Sequence, residues 1–172
     1  MQKRGLAAGT REGSVMKKTG TKVLGQNRGA GHEYFILERY EAGIELAGTE
    51  VKSLRAGKLS LKEAWCQVQN GELFIRQMHI SPYEQGNIFN KDPLRPRKLL
   101  MHKREIQYLY SKVRQDGYAI VPLSVYLKDS LIKVEIALCQ GKKLYDKRES
   151  AAKKDAERQM DRAMKAHNAR ET

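Results

Sequence analysis

The dipeptide Asn70-Gly71 lies between two short segments that alternate in polarity, 64–69 (AWCQVQ) and 72–80 (ELFIRQMHI). Alternation of this kind is typical of a strand with one buried face. Asn-Gly is the two-residue sequence that most readily adopts the backbone conformation of a tight β-hairpin. The sequence therefore predicts an antiparallel hairpin at this point, which commits the chain to a fold that contains a sheet.

Three further segments are rich in aromatic and β-branched residues and predict strands. They are 32–40, 118–127 and 131–139, and a turn at Lys128-Asp129-Ser130 joins the last two. Five mainly antiparallel strands within about 110 residues suit a small barrel that is closed or partly open. An α+β sandwich with two helices on one face is the alternative that the pattern leaves open.

Two segments predict helices. Thr49 is suited to N-cap a short helix over 50–56, which Gly57 follows at the position of a C-cap glycine. Apolar residues recur every three or four positions over 99–117 and predict a longer helix that ends at Gly117.

A long loop is predicted over residues 81–98, which hold three of the four prolines. A loop of this length in a compact domain is usually functional or mobile.

The chain is strongly basic, with 33 Lys and Arg against 20 Asp and Glu and a formal charge of +13. The excess is concentrated in residues 1–31 and 141–172. Such a balance favours a polyanionic partner, either RNA, DNA or an acidic membrane surface. Basic termini that only keep the protein soluble are the alternative.

The chain divides into three predicted parts. Residues 1–25 show no periodicity and predict a disordered basic N-terminal extension, 26–140 form one domain, and 141–172 form a basic tail. The helix-favouring stretch of that tail has only Met160 and Met164 as large apolar residues, too few to offset the entropy of ordering. We expect disorder in the free chain and a helix on the surface of another molecule. A solvated helix with no partner is the alternative.

Signatures of enzymes and of metal sites are missing from the sequence. Cys66 and Cys139 lie in predicted strands without CxxC spacing, which predicts buried reduced thiols. The four histidines lack the spacing of metal ligands. With no long apolar segment or secretory signal, we expect a cytoplasmic protein with no catalytic residue, metal, cofactor or membrane partner.

Basic and aromatic side chains provide candidates for contacts with nucleic acid, since lysine and arginine neutralise phosphates and tyrosine stacks on exposed bases. One basic cluster lies on and just after the short predicted helix: Lys52, Arg55 and Lys58. A second lies around the start of the long predicted helix: Arg95, Arg97, Lys98, Lys103 and Arg104. The candidate tyrosines, four of the eight in the chain, are Tyr34, Tyr40, Tyr83 and Tyr145. A tyrosine in a strand more often packs in the core, but Tyr145 lies in a basic segment with no strand to bury it.

Four segments together resemble the small protein B family, the bacterial SsrA-binding proteins. They are 27–57 (NRGAGHEYFILERYEAGIELAGTEVKSLRAG), 79–87 (HISPYEQGN), 92–106 (DPLRPRKLLMHKREI) and 141–149 (GKKLYDKRE). The resemblance implies a mainly β fold: an oligonucleotide-binding-type small β-barrel with flanking helices and a flexible basic C-terminal tail.

The same resemblance implies an RNA-binding adaptor of trans-translation that is not an enzyme. Members bind the tRNA-like domain of transfer-messenger RNA and deliver it to stalled ribosomes. Elongation factor Tu and alanyl-tRNA synthetase are implied to act on the same RNA, and we expect a monomer. A generic single-stranded nucleic-acid-binding or ribosome-associated barrel is the alternative function.

The resemblance also assigns residues to two sites. It implies RNA contacts from Asn27, Tyr34, Glu41, Lys52, Arg55, and Leu99 or Leu100. Glu41 would accept hydrogen bonds from base edges or hold an arginine in place, with a fold-stabilising salt bridge as the alternative. It implies contacts at the empty decoding site from Gly141, Lys142, Lys143, Tyr145, Asp146, Lys147 and Arg148, with Tyr145 stacked on a base and the rest of the tail helical in the mRNA channel.

Overall fold

The computed structural model describes residues 20–169, and these residues form nine strands and four helices. The strands are β1 Thr21–Gln26, β2 Tyr34–Ile44, β3 Leu59–Ser60, β4 Trp65–Gln69, β5 Glu72–Arg76, β6 His79–Ile80, β7 Arg97–Leu100, β8 Ala119–Lys128 and β9 Leu131–Gly141. The helices are α1 Ala30–Glu33, α2 Gly48–Arg55, α3 Lys103–Asp116 and α4 Leu144–Asn168, with a 3-10 turn at Asn87–Phe89.

The larger sheet closes on itself. Its strands pair in the order β8-β4-β5-β7-β2-β9, and β9 pairs with β8 to complete the ring. All of these pairings are antiparallel, and β1 pairs with the part of β8 that β4 leaves open. Closure satisfies the backbone groups that an open sheet would expose at its edges. The predicted mainly β barrel with flanking helices is therefore confirmed.

The predicted hairpin is confirmed, because Gln69 pairs with Glu72 across a two-residue turn. Asn70 and Gly71 have φ values of 52° and 74°, the positive values that a type I′ turn requires and that glycine adopts without strain. The second predicted turn has the same form, since Lys128 pairs with Leu131.

The barrel encloses the main hydrophobic core, and a smaller apolar cluster lies outside it, where α1 covers β8 and β9. Cys66 lies in the main core and Cys139 in the smaller cluster, and both thiols are free and buried. Burial raises the pKa of both thiols, that of Cys139 to about 11, which keeps them protonated. The prediction of buried reduced thiols is confirmed. The largest fully buried apolar residues of the main core are Leu54, Leu73, Ile75, Met78, Leu99, Leu109, Ile136 and Leu138.

The first strand corrects the predicted extent of N-terminal disorder. Thr21 pairs with Lys128 at the start of β1, so residues 21–25 belong to the sheet. Their own sequence lacks apolar alternation, and the pairing with β8 stabilises them as a strand. Residues 1–19 of the predicted extension lie outside the described residues.

Residues 97–98 are predicted to end a loop and 99–100 to begin a helix, and neither prediction is correct. The structure makes residues 97–100 strand β7, which pairs with β5 and β2 and closes the barrel, and the helix begins only at Lys103. The short helix α2 begins at Gly48, and its N-cap is Ala47 rather than Thr49. The Ala47 N–H donates to the Glu50 carboxylate over 2.8 Å, which caps the helix from inside its first turn.

The tail forms helix α4, as its propensity predicts. The Lys143 N–H donates to Asp146 Oδ2 over 3.1 Å and satisfies one group at the start of the helix. All described side chains from residue 152 onwards are exposed. The disorder expected of the tail in the free chain stays a prediction.

Candidate nucleic-acid interface

Two neighbouring groups of charged and hydroxyl side chains occupy the outer face of β2, β9 and β8, which we call the β2 face. Glu41 lies at its centre, opposite Glu135 of β9. The Tyr126 hydroxyl donates to the Glu41 carboxylate, and the Lys128 ammonium lies 3.3 Å from each carboxylate oxygen. The Tyr126 hydrogen bond, assisted by Lys128, holds the pKa of Glu41 below its usual value although burial opposes it. Glu41 is therefore ionised, and a lysine and a tyrosine hold it in place.

The neighbouring carboxylate on the β2 face is also paired. Glu135 lies 3.3 Å from the guanidinium of Arg39 and accepts a hydrogen bond of 3.1 Å from Ser124. The Arg39 side chain is 59 % exposed and is directed to the same face as Glu41. Sequence reasoning missed Arg39, although the period of two along β2 would have placed it beside Glu41.

The structure separates the two leucines that the resemblance implied as alternatives. Leu99 is 1 % exposed inside the barrel, so an RNA contact by its side chain is wrong. Leu100 is 48 % exposed and pairs with Gly43, where a Cβ would lie 3.2 Å from the Leu100 Cβ. Because Gly43 follows Glu41 by two residues, Leu100 extends the β2 face.

Asn27 and Tyr34 flank the smaller apolar cluster. The Asn27 side-chain amide donates to Pro122 O over 3.2 Å, and its backbone N–H donates to Leu123 O over 2.7 Å. Asn27 thereby ties the segment before α1 to β8. Tyr34 is half-buried against the cluster and pairs with Gly141, at the opposite end of β2 from Leu100.

Lys52 and Arg55 lie on a second surface, formed by α2 and the loop 81–96. Both side chains are exposed, and the Lys52 ammonium lies 5.1 Å from the centre of the Tyr83 ring. Lys58, from the same predicted cluster, lies 3.4 Å from Glu84. The structure therefore places Glu41 and Leu100 on the β2 face, Asn27 and Tyr34 beside the smaller apolar cluster, and Lys52 and Arg55 on this second surface.

Arg97 is not a phosphate ligand, because its side chain is 0 % exposed. It donates to Glu50 over 2.9 Å and to Met78 O over 2.7 Å, and Arg95 donates to the same carboxylate. Burial alone would raise the pKa of Glu50. Hydrogen bonds from Arg95, the Ala47 N–H and Arg97 outweigh this effect and hold that pKa below its usual value. A buried guanidinium requires such pairing, which sequence spacing did not reveal.

Of the remaining basic candidates, one is paired with a carboxylate and two are exposed. Lys98 lies 2.7 Å from Glu72, whereas Lys103 and Arg104 are exposed at the start of α3. Tyr40 packs against the barrel core and donates its hydroxyl to Glu38.

The base of the tail is attached to α1. The Lys142 ammonium donates to Gly31 O over 2.9 Å and to Ser150 Oγ over 3.0 Å, and the Lys147 ammonium lies 2.5 Å from Glu33. Two lysines implied to meet rRNA phosphate thus pair within the chain. Lys143, Arg148 and Tyr145 are exposed, Tyr145 at 67 %.

In residues 20–169, no three or more His, Cys, Asp or Glu side chains come together as a possible metal site. No helix in the same residues is long and apolar enough to cross a membrane.

Comparison with known proteins decides the family. A family model described as SmpB protein matches residues 24–166. The chain belongs to the SmpB family. An SsrA-binding protein of Desulforudis audaxviator is 61 % identical over 148 residues, which cover 86 % of this chain and 97 % of that relative. An SsrA-binding protein of Clostridium botulinum strain Hall is 58 % identical over 151 residues, covering 88 % and 97 %.

A solved structure agrees with this assignment. It carries the description "tmRNA-SmpB: a journey to the center of the bacterial ribosome" and matches with a TM-score of 0.60 and 47 % identity. The match covers 73 % of this chain and 92 % of the other. The resemblance to the SmpB family is therefore confirmed, together with the fold that it implied.

Proposed function

We propose that this chain is an RNA-binding adaptor of trans-translation. It binds the tRNA-like domain of transfer-messenger RNA and delivers it to stalled ribosomes. The names of the relatives support RNA binding, and the description of the matching structure joins transfer-messenger RNA, SmpB and the ribosome. The observation that carries the proposal is α4, a basic helix of 25 residues whose side chains point into solvent beyond its base.

The β2 face is the proposed contact with the tRNA-like domain. A carboxylate repels phosphate, but Glu41 is fixed and ionised and can accept hydrogen bonds from base edges. Arg39, whose side chain is 59 % exposed, is placed to neutralise a phosphate beside Glu41. Leu100 supplies an exposed apolar surface for a ribose or base.

Asn27 lies beside this face and positions the segment before α1, while Tyr34 supports the small cluster on which α1 rests. In this proposal both residues shape the RNA-binding surface. Lys52 and Arg55 contact the RNA from the second surface, through phosphates.

The tail is proposed to occupy the empty decoding site and the mRNA channel. Helix α4 is about 37 Å long at the usual rise of 1.5 Å per residue. Lys143 and Arg148 are exposed for contacts with rRNA phosphate, and Tyr145 is exposed for stacking on a base. An mRNA that already fills the channel would exclude the helix, which restricts the adaptor to ribosomes stalled without a codon.

The remaining partners follow from the RNA. We expect elongation factor Tu and alanyl-tRNA synthetase to act on the same complex, and the adaptor to act as a monomer that catalyses no reaction itself.

Truncation of the tail tests the proposal. A chain that ends at Gln140 should keep its affinity for the tRNA-like domain and lose peptide tagging on ribosomes stalled on an mRNA without a stop codon. A chain that ends at Asn168 is the control and should retain both. Equal loss of RNA affinity and tagging in the shorter chain would show that the tail is part of the RNA site, against the proposal.

A further inference from the structure

The loop between β6 and β7 exposes two large apolar side chains side by side. Ile88 is 89 % exposed and Phe89 is 73 % exposed, the two highest values for large hydrophobic residues within 20–169. Single exposed apolar residues are common, whereas contiguous exposed apolar surface is a feature of contact sites.

Hydrogen bonds hold this loop in a defined shape. Asn90 Oδ1 accepts from the Tyr83 N–H over 3.0 Å, and Asn90 Nδ2 donates to Tyr83 O over 2.9 Å. Thr49 of α2 donates its hydroxyl to Phe89 O over 3.3 Å. A Cβ at Gly86 would lie 2.6 Å from Asn90 Oδ1, so the close approach requires glycine. These contacts hold the loop in a conformation in which Ile88 and Phe89 are exposed.

The charge around the loop indicates the partner. Lys52 lies over the Tyr83 ring, and Lys91 follows Asn90 on the exposed surface. The buried Glu50 contributes no net negative charge, because Arg95 and Arg97 pair with it. The exposed charges of α2 and the loop 81–96 are Lys52, Arg55 and Lys91 against Glu84 and Asp92, and Lys58, just after α2, pairs with Glu84. Phe89 lies two residues before Lys91, and its carbonyl accepts from Thr49, three residues before Lys52 on α2. An exposed aromatic ring beside lysines suits an unpaired nucleotide, which offers a flat base and a phosphate together.

We propose that Phe89 stacks on an unpaired base of the bound RNA, with Lys52 and Lys91 on the flanking phosphates. The proposal rests on the RNA-binding function above and adds a contact outside the β2 face. Stacking accepts any base because every base has a flat face. The loop would therefore fix the position of an unpaired nucleotide rather than read its identity.

Affinity for the tRNA-like domain of transfer-messenger RNA provides the first test. Phe89→Ala should weaken binding by about 5- to 100-fold, the usual range for loss of one base–aromatic stack, whereas Phe89→Trp should bind as the wild type does. Tyr110→Ala is the matched control, since Tyr110 is an exposed aromatic residue on α3 with Arg114 over its ring. It should leave the affinity unchanged.

Fluorescence provides a test that does not depend on affinity. The chain has one tryptophan, Trp65, so Phe89→Trp in a Trp65→Phe background leaves a single indole in the loop. Stacking on a base should quench its emission when the tRNA-like domain is added, and the same addition should leave Trp65 emission in the wild type unchanged.

The outcomes separate this proposal from the function on which it rests. If the wild type prefers the tRNA-like domain but Phe89→Ala binds equally well and the indole at 89 is not quenched, the stacking contact is overturned alone. The same pattern combined with weaker capture of elongation factor Tu would assign the loop to a protein and also overturn it. If the wild type shows no preference for the tRNA-like domain, the function and the contact fail together.

Discussion

The ammonium nitrogen of Lys147 lies 2.5 Å from a carboxylate oxygen of Glu33, which joins the tail helix to the turn of α1. Lys142 connects the same two elements through Gly31 O and Ser150. Two lysines of the basic tail segment therefore fix the direction in which α4 leaves the barrel. Of the tail residues assigned to the decoding site, Lys143, Tyr145 and Arg148 have exposed side chains, and we propose that these three contact the ribosome.

Replacing Lys147 with glutamine should raise the pKa of Glu33 towards its ordinary value, because the Lys147 hydrogen bond is the main cause of its lowering. A carboxyl group with a lowered pKa stabilises the fold above its unfolded pKa, and the contribution is lost as the pH falls through the folded value. Carboxyl-carbon NMR during an acid titration measures the change. Arg148→Gln is the control and should leave the pKa of Glu33 unchanged. If the pKa of Glu33 also stays unchanged in Lys147→Gln, the pairing of Lys147 with Glu33 is contradicted.

Tyr126→Phe should remove one of the two side chains that hold the Glu41 carboxylate in place and leave only Lys128. The Tyr126 hydrogen bond is the largest cause of the low pKa of Glu41, so that pKa should rise. The free energy of unfolding should fall by about 1 kcal/mol, the typical net value of one hydrogen bond. Affinity for the tRNA-like domain should fall roughly two- to tenfold, the cost of ordering one side chain on binding.

NMR titration, urea denaturation and RNA binding measure these three effects of Tyr126→Phe. Tyr110→Phe removes a hydroxyl from the exposed face of α3 and is the matched control, expected to change none of them. Unchanged RNA affinity despite a raised Glu41 pKa would remove Glu41 from the RNA contact and leave it a role in the fold alone.

Glu50→Gln should be strongly destabilising. It removes the charge that balances Arg97, which is fully buried, and loss of one partner of a buried pair costs about 3–5 kcal/mol. Urea denaturation should show the loss as a lower midpoint. Glu72→Gln breaks the more exposed pair with Lys98 and should have little effect. Similar small effects of both substitutions would show that the Glu50 pair does not stabilise the barrel.

Tyr145→Ala should impair peptide tagging on stalled ribosomes, and Tyr145→Phe should not, because stacking requires the ring rather than the hydroxyl. RNA affinity should be unchanged in both variants, since Tyr145 is an exposed residue of α4 and is not part of the β2 face. Failure of the phenylalanine variant would indicate that the hydroxyl makes the contact.

Local chemistry decided which elements could be predicted from the sequence. The Asn70-Gly71 hairpin and the end of α3 at Gly117 depend on the conformations that a few adjacent residues prefer, and both were correct. The sequence predicts the end of a loop at 97–98 and the start of a helix at 99, because Leu99 fits the apolar spacing of α3, whereas the structure makes Arg97–Leu100 strand β7. Its pairing with β5 and β2 overrides that local preference.

The same distinction applies to the candidate site. The resemblance supplied Glu41, but the residues that hold it, Tyr126 and Lys128, lie more than eighty positions away and become neighbours only in the folded barrel. Arg97 looked like a phosphate ligand because nothing local indicates its pairing with Glu50 across 47 positions. The sequence shows which side chains are available, but the register of the sheet decides which of these side chains face solvent.

Binding selectivity at several salt concentrations tests the central claim most directly. The tRNA-like domain of transfer-messenger RNA is compared with an elongator tRNA and a single-stranded RNA. A preference of about 100-fold, equal to about 2.7 kcal/mol, that persists as salt is added is expected if the β2 face recognises the shape of its RNA. Equal affinities that weaken together with salt would show that the charge of +13 binds any RNA, and would contradict the account.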